Sequence, residues 1–234
     1  KYSDKNNELH SVYETSWGLS TRIIGAIIMV HGDDSGLVLP PRIAPVQTKV
    51  IPIAQHKEGV LDKAGELLDT LRAAGYAAKI DDSDKAPGWK FSEQEIQGIP
   101  TRIEIGPKDI EQGQVVVVRR DTREKTVVAI GEITEKLGEI LETMQKDMFE
   151  RAKAFLDSHI DSAVTMEEMN SKFNESRGFI KAMWCGEEAC EDEIKAQTGG
   201  ASSRCIPDEE EHLSDVCICC GKPAKHMVYW GKAY

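Results

Sequence analysis

Six cysteines are present, and all lie beyond residue 184: Cys185, Cys190, Cys205, Cys217, Cys219 and Cys220. Cys185-x4-Cys190 and Cys217-x2-Cys220 form two short clusters separated by 26 residues. Short spacing lets each pair make a turn whose two sulfurs point at one spot. Four thiolates at tetrahedral positions are what Zn²⁺ prefers, and a shell of four sulfurs leaves no open position for a substrate. The expected role is therefore structural. Gly186 and Gly221 each follow a candidate ligand, where backbone amides can approach sulfur. Other readings stay open at this level. The thiols could be core cysteines or redox thiols; Cys217-x-Cys219 could be the second pair; His212 or His226 could replace one sulfur. Cys205 is isolated and reads as a small core residue or a spare thiol.

A disulfide framework would spread its staples along a small secreted chain. The clustering points instead to a reducing compartment, and cytoplasmic location is the expectation. The chain of 234 residues carries 29 Lys plus Arg against 40 Asp plus Glu, a formal charge of −11. That balance disfavours nonspecific DNA binding, which runs on many cationic contacts to phosphate. An apolar fraction of 40% is enough to offset the entropy of folding, which excludes a disordered tail. The best apolar run, Ile23 to Val30, is far too short for a membrane span, which takes roughly 20 residues. Lys1 stands first and no positive-then-apolar leader follows, so the expectation is a piece of something longer.

The elements that must position these groups are legible from periodicity. Ile23/Ile27 and Ile24/Ile28 share one helix face. Gly32 to Gly36 is a loop, and Pro40, Pro41 and Pro45 prevent regular structure. Val50, Ile51 and Ile53 read as a buried strand. Leu61, Ala64, Leu68 and Leu71 keep helical spacing, with Gly75 as a stop. Ala77 to Ile80 is a second strand, Asp81 to Gly88 a polar stretch with a Pro-Gly turn, and Ser92 to Ile96 a short helix. Ile103 to Ile105 and Val115 to Val118 are strands. Asp121 to Lys125 is a hairpin tip and Thr126 to Ile130 pairs back. Glu132 to Ile160 is a long amphipathic helix. The β-α-β-α-β-β-α order predicts an α/β domain with a mixed sheet. The acidic run Asp208 to Glu211 reads as a solvated loop.

Three blocks carry a resemblance to a known family. Thr15-Ser-Trp-Gly-Leu-Ser-Thr-Arg22, with Met29-Val-His-Gly-Asp33 and Gly36-Leu-Val-Leu-Pro-Pro-Arg42, resembles prolyl-tRNA synthetase of the archaeal and eukaryotic type. Gly18 to Arg22 looks like motif 3 of class II aminoacyl-tRNA synthetases. Gly98-Ile-Pro-Thr-Arg-Ile-Glu-Ile-Gly-Pro-Lys-Asp109 is similar to the anticodon-binding domain of the same enzymes. Cys185-Gly-Glu-Glu-Ala-Cys190 and Cys217-Ile-Cys-Cys-Gly-Lys-Pro-Ala-Lys225 resemble its C-terminal zinc domain. Motifs 1 and 2 have no counterpart, so the chain looks like the C-terminal half of such an enzyme. The resemblance implies residues 1–46 as a remnant of an antiparallel class II catalytic domain. It implies 47–160 as an anticodon-binding domain with a mixed five-stranded sheet flanked by helices, and 161–234 as a small α+β zinc domain.

For function the resemblance implies proline–tRNA ligation: ATP and Mg²⁺ activate L-proline to an adenylate, then tRNA(Pro) takes the prolyl group. Arg22 would contact ATP phosphate, where a rigid guanidinium neutralises charge that grows in the transition state. Ser20 would line the nucleotide site, and Trp17 and Gly18 would shape the pocket floor; His31 and Asp33 read as structural. Glu95, Arg102 and Lys125 match the family's anticodon readers by spacing. A carboxylate accepts from N1 and N2 of guanine and a cation donates to O6 and N7, which suits an anticodon ending in two guanines. Trp89, Phe91 and Arg119 are nearby candidates for stacking. The plain alternative for Glu95 and Arg102 is an exposed ion pair worth about 0–1 kcal/mol. Charge does not decide, since residues 102–125 hold six basic and five acidic side chains. A homodimer through the catalytic domain and a terminal Tyr234 carboxylate reaching the active site are further expectations. The chain alone is not expected to catalyse either step. The other class of reading is a noncatalytic tRNA-binding or zinc-organised interaction module.

Overall fold

The structure, a computed structural model, describes residues 1–175 and 178–233. The expectation for Tyr234 lies outside the described residues. The chain divides into two compact units, Lys1–Met148 and Phe149–Tyr234.

The first unit opens on a two-stranded hairpin, β1 (Tyr2–Ser3) against β2 (Leu9–His10). Asp4 organises its turn by accepting the backbone N–H groups of Asn6 and Glu8. Helix α1 (Arg22–His31) follows the predicted four-residue spacing, yet buries none of its residues; Ile24 is 57% exposed and Met29 68%. The proline-rich stretch after it is irregular. It is nevertheless tied down: Leu37 N–H donates to Ile96 O and Leu39 N–H to Gly98 O, both at 3.1 Å, and Val38 packs with Met144 and Met148.

From residue 48 the chain builds a β-α-β-α-β-α-β-β-α unit. Its elements are β3 (Thr48–Pro52), α2 (Val60–Ala73), β4 (Ala78–Ile80), α3 (Pro87–Ile96), β5 (Thr101–Ile105), α4 (Pro107–Glu111), β6 (Gln114–Arg119), β7 (Lys125–Ala129) and α5 (Ile133–Asp157). The strand order is β4-β3-β5-β6-β7, parallel across the first three and antiparallel after that, so the sheet is mixed and five-stranded as expected. Two details differ from expectation. Helix α3 begins at Pro87, inside the stretch read as a turn, because proline's fixed φ suits the first helical position, where its missing N–H costs nothing. The short helix α4 was not anticipated; Asp109 closes its first turn by accepting the Gly106 N–H at 2.9 Å.

Alternation divides the sheet into two unlike faces. Val50, Ile103, Ile105, Val115, Val117 and Val128 point to one side, where Ala64, Leu67, Leu68 and Leu71 of α2 and Ile133, Leu137 and Leu141 of α5 close the core. The opposite face carries polar side chains in register. Lys79, Lys49, Arg102, Val118 and Lys125 align across the five strands, so four of the five positions in that row are cationic. This face is only partly covered by α3, and Val127 on it is 60% exposed.

The second unit contains β8 (Ile160–Ser162), α6 (Met166–Glu175), β9 (Phe179–Trp184), α7 (Glu188–Thr198), β10 (Ala201–Cys205) and β11 (His226–Lys232). Its sheet order is β10-β11-β9-β8. Met169 and Phe173 of α6, Ile194 of α7 and the fully buried Trp230 of β11 form its core. The acidic run is an exposed loop, as expected, and it is tethered. Glu210 accepts the Met227 N–H and Glu211 accepts Lys181 Nζ at 2.7 Å, which pins that loop to β11 and β9. Among the described residues no helix is long and apolar enough to cross a membrane.

Candidate RNA-reading face and metal centre

Glu95, Arg102 and Lys125 are brought together on the polar face of the five-stranded sheet. Glu95 is one residue from the end of α3, Arg102 is on β5 and Lys125 opens β7. Arg102 Nη1 donates to Glu95 Oε1 at 3.2 Å and to Gln94 Oε1 at 3.3 Å. Its Nε donates to Glu104 Oε1 at 2.8 Å. The guanidinium lies over the Phe91 ring, 4.4 Å from the centroid. Lys125 Nζ sits 3.5 Å from Glu104 Oε2, and Arg123 Nη2 is 3.8 Å from Glu95 Oε2. The Arg102 and Glu95 side chains are only 8% and 21% exposed, so this is not a surface ion pair. Loss of Arg102 would leave Glu95 and Glu104 with only the longer contacts to Arg123 and Lys125, a costly state in a partly desolvated place.

Sequence reasoning missed Glu104, Gln94 and Arg123. The signal for Glu104 was available: Arg102 and Glu104 are two apart on a strand and therefore share a face. The stacking candidates sort differently from one another. Phe91 lies under Arg102, and Trp89 is 49% exposed with Lys85 Nζ 5.5 Å from its ring. Arg119 is not available for stacking: it points to the other side and is held by both Asp121 oxygens and by Asp147 Oδ2 at 2.8 Å.

A second polar anchor ties the stretch after α1 to this face. Arg120, whose side chain is fully buried, donates to both Asp33 oxygens, at 2.6 and 2.8 Å, and through Nε to the Glu95 carbonyl at 2.9 Å. Hydrogen bonding from Arg120 holds the Asp33 carboxyl down at about 2. Asp33 is therefore a structural residue with a specific partner.

The residues read as motif 3 occupy an exposed stretch. Arg22 is the first residue of α1 and its N–H donates to Ser20 Oγ at 3.4 Å. Trp17 is 91% exposed, and a side chain at Gly18 would meet nothing within 4 Å. Within this chain these four residues do not close a pocket.

In the second unit, Cys185 directly follows β9, Cys190 lies in the first turn of α7, and Cys217 and Cys220 bracket a tight turn before β11. That turn is closed by the Gly221 N–H donating to Cys217 O and the Cys217 N–H to Lys222 O. Gly186 and Gly221 have φ of 86° and 70°, left-handed conformations that a side chain would strain. The four sulfurs all lie within 4.8 Å of one another. Cys185 Sγ is 3.6 Å from Cys190 Sγ and 3.8 Å from Cys220 Sγ. A disulfide needs about 2.05 Å. A tetrahedron of sulfurs about 2.3 Å from a central zinc has edges of about 3.8 Å, so the spacing fits a metal. Burial pushes the Cys185 and Cys190 thiols up, whereas the Lys222 N–H brings Cys220 down to about 7. Such a donor set could hold a divalent cation, whose binding would draw off the thiol protons. Cys219 stands outside the group of four, and Cys205 is exposed rather than in the core. His212 pairs with Asp215 and His226 with Glu210, so neither replaces a sulfur.

Comparison with known proteins agrees with this arrangement. The family model for the anticodon binding domain matches residues 47–140, and that for the C-terminal domain of prolyl-tRNA synthetase matches residues 166–234. A proline–tRNA ligase of Lachnoclostridium phytofermentans is 62% identical over 234 residues, covering 100% of this chain and 48% of the relative. The proline–tRNA ligases of Lachnospira eligens and Agathobacter rectalis are 61% and 63% identical, again over 100% of this chain and 49% of each relative. The chain thus spans about half the length of the curated relatives it matches. With both family models placed in order along it and relatives of this identity aligned over all of it, the chain carries the anticodon-binding domain and the C-terminal domain of the prolyl-tRNA synthetase family.

Proposed function

We propose that the chain is the tRNA-selecting part of a proline–tRNA ligase, in which Glu95, Arg102 and Lys125 read the two guanines of the tRNA(Pro) anticodon. The observation that carries this reading is the assembly of those three residues, with Glu104 joining Arg102 to Lys125, on the polar face of the five-stranded sheet. Glu95 accepts from guanine N1 and N2. Arg102, whose Nη2 makes no hydrogen bond among the described residues, and Lys125 donate to O6 and N7. Phe91 backs the guanidinium plane, and Trp89 offers a stacking surface for a splayed loop base.

In this reading residues 1–46 belong to the catalytic domain, 47–160 to the anticodon-binding domain and 161–234 to the zinc domain. Cys185, Cys190, Cys217 and Cys220 would hold one structural Zn²⁺, which on binding takes the place of the thiol protons and ties β9, α7 and the turn before β11 together. In the whole enzyme Arg22 clamps ATP phosphate, with Ser20, Gly18 and Trp17 beside the nucleotide and Mg²⁺ on the phosphates. Proline attacks the α-phosphate, pyrophosphate leaves, and the terminal adenosine of tRNA(Pro) takes the prolyl group. The remainder of the pocket and the expected dimer contact come from the rest of that enzyme, which works among reduced thiols in the cytoplasm. Exposure of Trp17 and of the apolar face of α1 supports this reading, since both need a larger body to pack against.

Filter binding of a tRNA(Pro) transcript and of an unrelated tRNA at two salt concentrations tests the proposal. Tighter binding of tRNA(Pro) that persists at the higher salt is expected. Equal affinity for both, lost together as salt rises, would leave only nonspecific phosphate contact.

A further inference from the structure

We propose that Glu104 is the positioning residue of the RNA-reading face, fixing which base edge Arg102 and Lys125 can reach. The proposal rests on the anticodon-reading assignment above. Glu104 lies two residues after Arg102 on β5, on the same face, with its side chain 13% exposed. Its two oxygens serve two different cations: Oε1 accepts from Arg102 Nε at 2.8 Å, and Oε2 lies 3.5 Å from Lys125 Nζ. Those cations come from strands separated by β6, so no backbone pairing sets their spacing directly.

A guanidinium fork discriminates between bases only when its plane and its rotation within that plane are both fixed. Phe91 fixes the plane. Gln94 and Glu95 hold Nη1, and Glu104 holds Nε, which leaves Nη2 directed away from both. Without Glu104 the fork pivots about the Nη1 contacts. Lys125 then swings on a flexible four-carbon stem, its ammonium 58% exposed as a side chain and anchored among the described residues by Glu104 alone. Glu104 positions rather than reads: it is the more buried of the two carboxylates, 13% exposed against 21% for Glu95, and its contact to Arg102 is the shorter, 2.8 Å against 3.2 Å.

The two consequences of removing Glu104 have opposite signs. Loss of a carboxylate from an RNA-binding face reduces repulsion of phosphate, so affinity for any loop holds or rises. Loss of orientation lowers the preference for the correct loop. A residue needed only for folding would weaken both alike.

The test is fluorescence anisotropy on the full chain with labelled RNA hairpins carrying the tRNA(Pro) anticodon loop, and with each of its two guanines changed to adenine. Glu104→Ala, Glu104→Gln and Arg102→Ala are compared with the unaltered chain. Expected for Glu104→Ala is a fall of about tenfold in the preference for the correct hairpin, the worth of one bidentate contact, with affinity for the changed hairpins equal or higher. Glu104→Gln keeps the shape and one acceptor but loses the charge that holds Lys125. Its preference should fall by a smaller factor, about threefold. If Glu104→Ala does not fold, Glu104→Gln decides by the same criterion. An unchanged preference in the Glu104 variants, while Arg102→Ala abolishes it, overturns this inference and leaves the anticodon assignment standing; so does an equal loss for every hairpin. If the unaltered chain binds all hairpins alike, the anticodon assignment fails and this inference fails with it.

Discussion

Asp33 offers a perturbation whose size can be worked from the structure. Its carboxylate is the partner of Arg120, a guanidinium with no side-chain exposure whose other contact is the Glu95 carbonyl. Removing one member of a buried ion pair costs about 3–5 kcal/mol because the other stays charged without compensation. Here Asp33 is 43% exposed and the Glu95 carbonyl remains, so Asp33→Ala should cost about 3 kcal/mol. Asp33→Asn, which keeps an acceptor, should cost about half that. The carboxyl sits at about 2 rather than 3.8, so the stabilisation is complete above pH 3.8 and is lost as pH falls toward 2. The gap between the unaltered chain and Asp33→Asn should therefore be constant from about pH 7 to 5 and close progressively below about pH 4. Solvent screening trims the pH-dependent part to about 1 kcal/mol. Urea unfolding read by amide exchange in β3 and β5 reports on the unit that holds Asp33. A cost below about 0.5 kcal/mol for Asp33→Ala, or a gap that widens in acid, would refute the reasoning.

Further outcomes follow from the same geometry. Metal analysis should find one zinc per chain, lost in Cys217→Ser and Cys220→Ser and retained in Cys219→Ser and Cys205→Ser. In the zinc-loaded chain a thiol reagent should modify Cys205 and Cys219 alone, and a chelator should open the other four; reaction of all six before chelation would deny the site. Arg22→Ala should leave the fold and anticodon-loop affinity within about twofold, since Arg22 stands on an exposed helix. In the full-length enzyme the same change should lower proline-dependent pyrophosphate exchange by about a hundredfold, as loss of a transition-state clamp does.

Much of the fold was readable because periodicity is strong where one face is buried. The Val-rich strands from 50 to 128 and the helices carrying Leu68 and Leu141 give the order and type of elements. What escaped was set by single residues acting locally. Pro87 reads as a breaker and serves as a helix start. Helix α4 is five residues long, too short for any period to show. In the cysteine cluster, spacing alone left open whether Cys219 or Cys220 joins the other three, because the choice depends on how a turn points its sulfurs. On the polar face of the sheet, resemblance singled out Glu95, Arg102 and Lys125; Glu104 was legible only from the two-residue spacing that puts it on the same side of β5 as Arg102. Asp33 was placed as structural, but its partner Arg120 is 87 residues away and no local pattern announces it.

The central claim is that this chain selects its RNA by the anticodon, and transplanting that triplet tests it most directly. The tRNA(Pro) anticodon would be placed in an unrelated tRNA body, and the unrelated anticodon in the tRNA(Pro) body, and both titrated against the chain at fixed salt. Affinity that follows the triplet, with a loss of about tenfold or more when the two guanines leave, is the predicted result. Affinity that follows the body, or that ignores both exchanges, would contradict it.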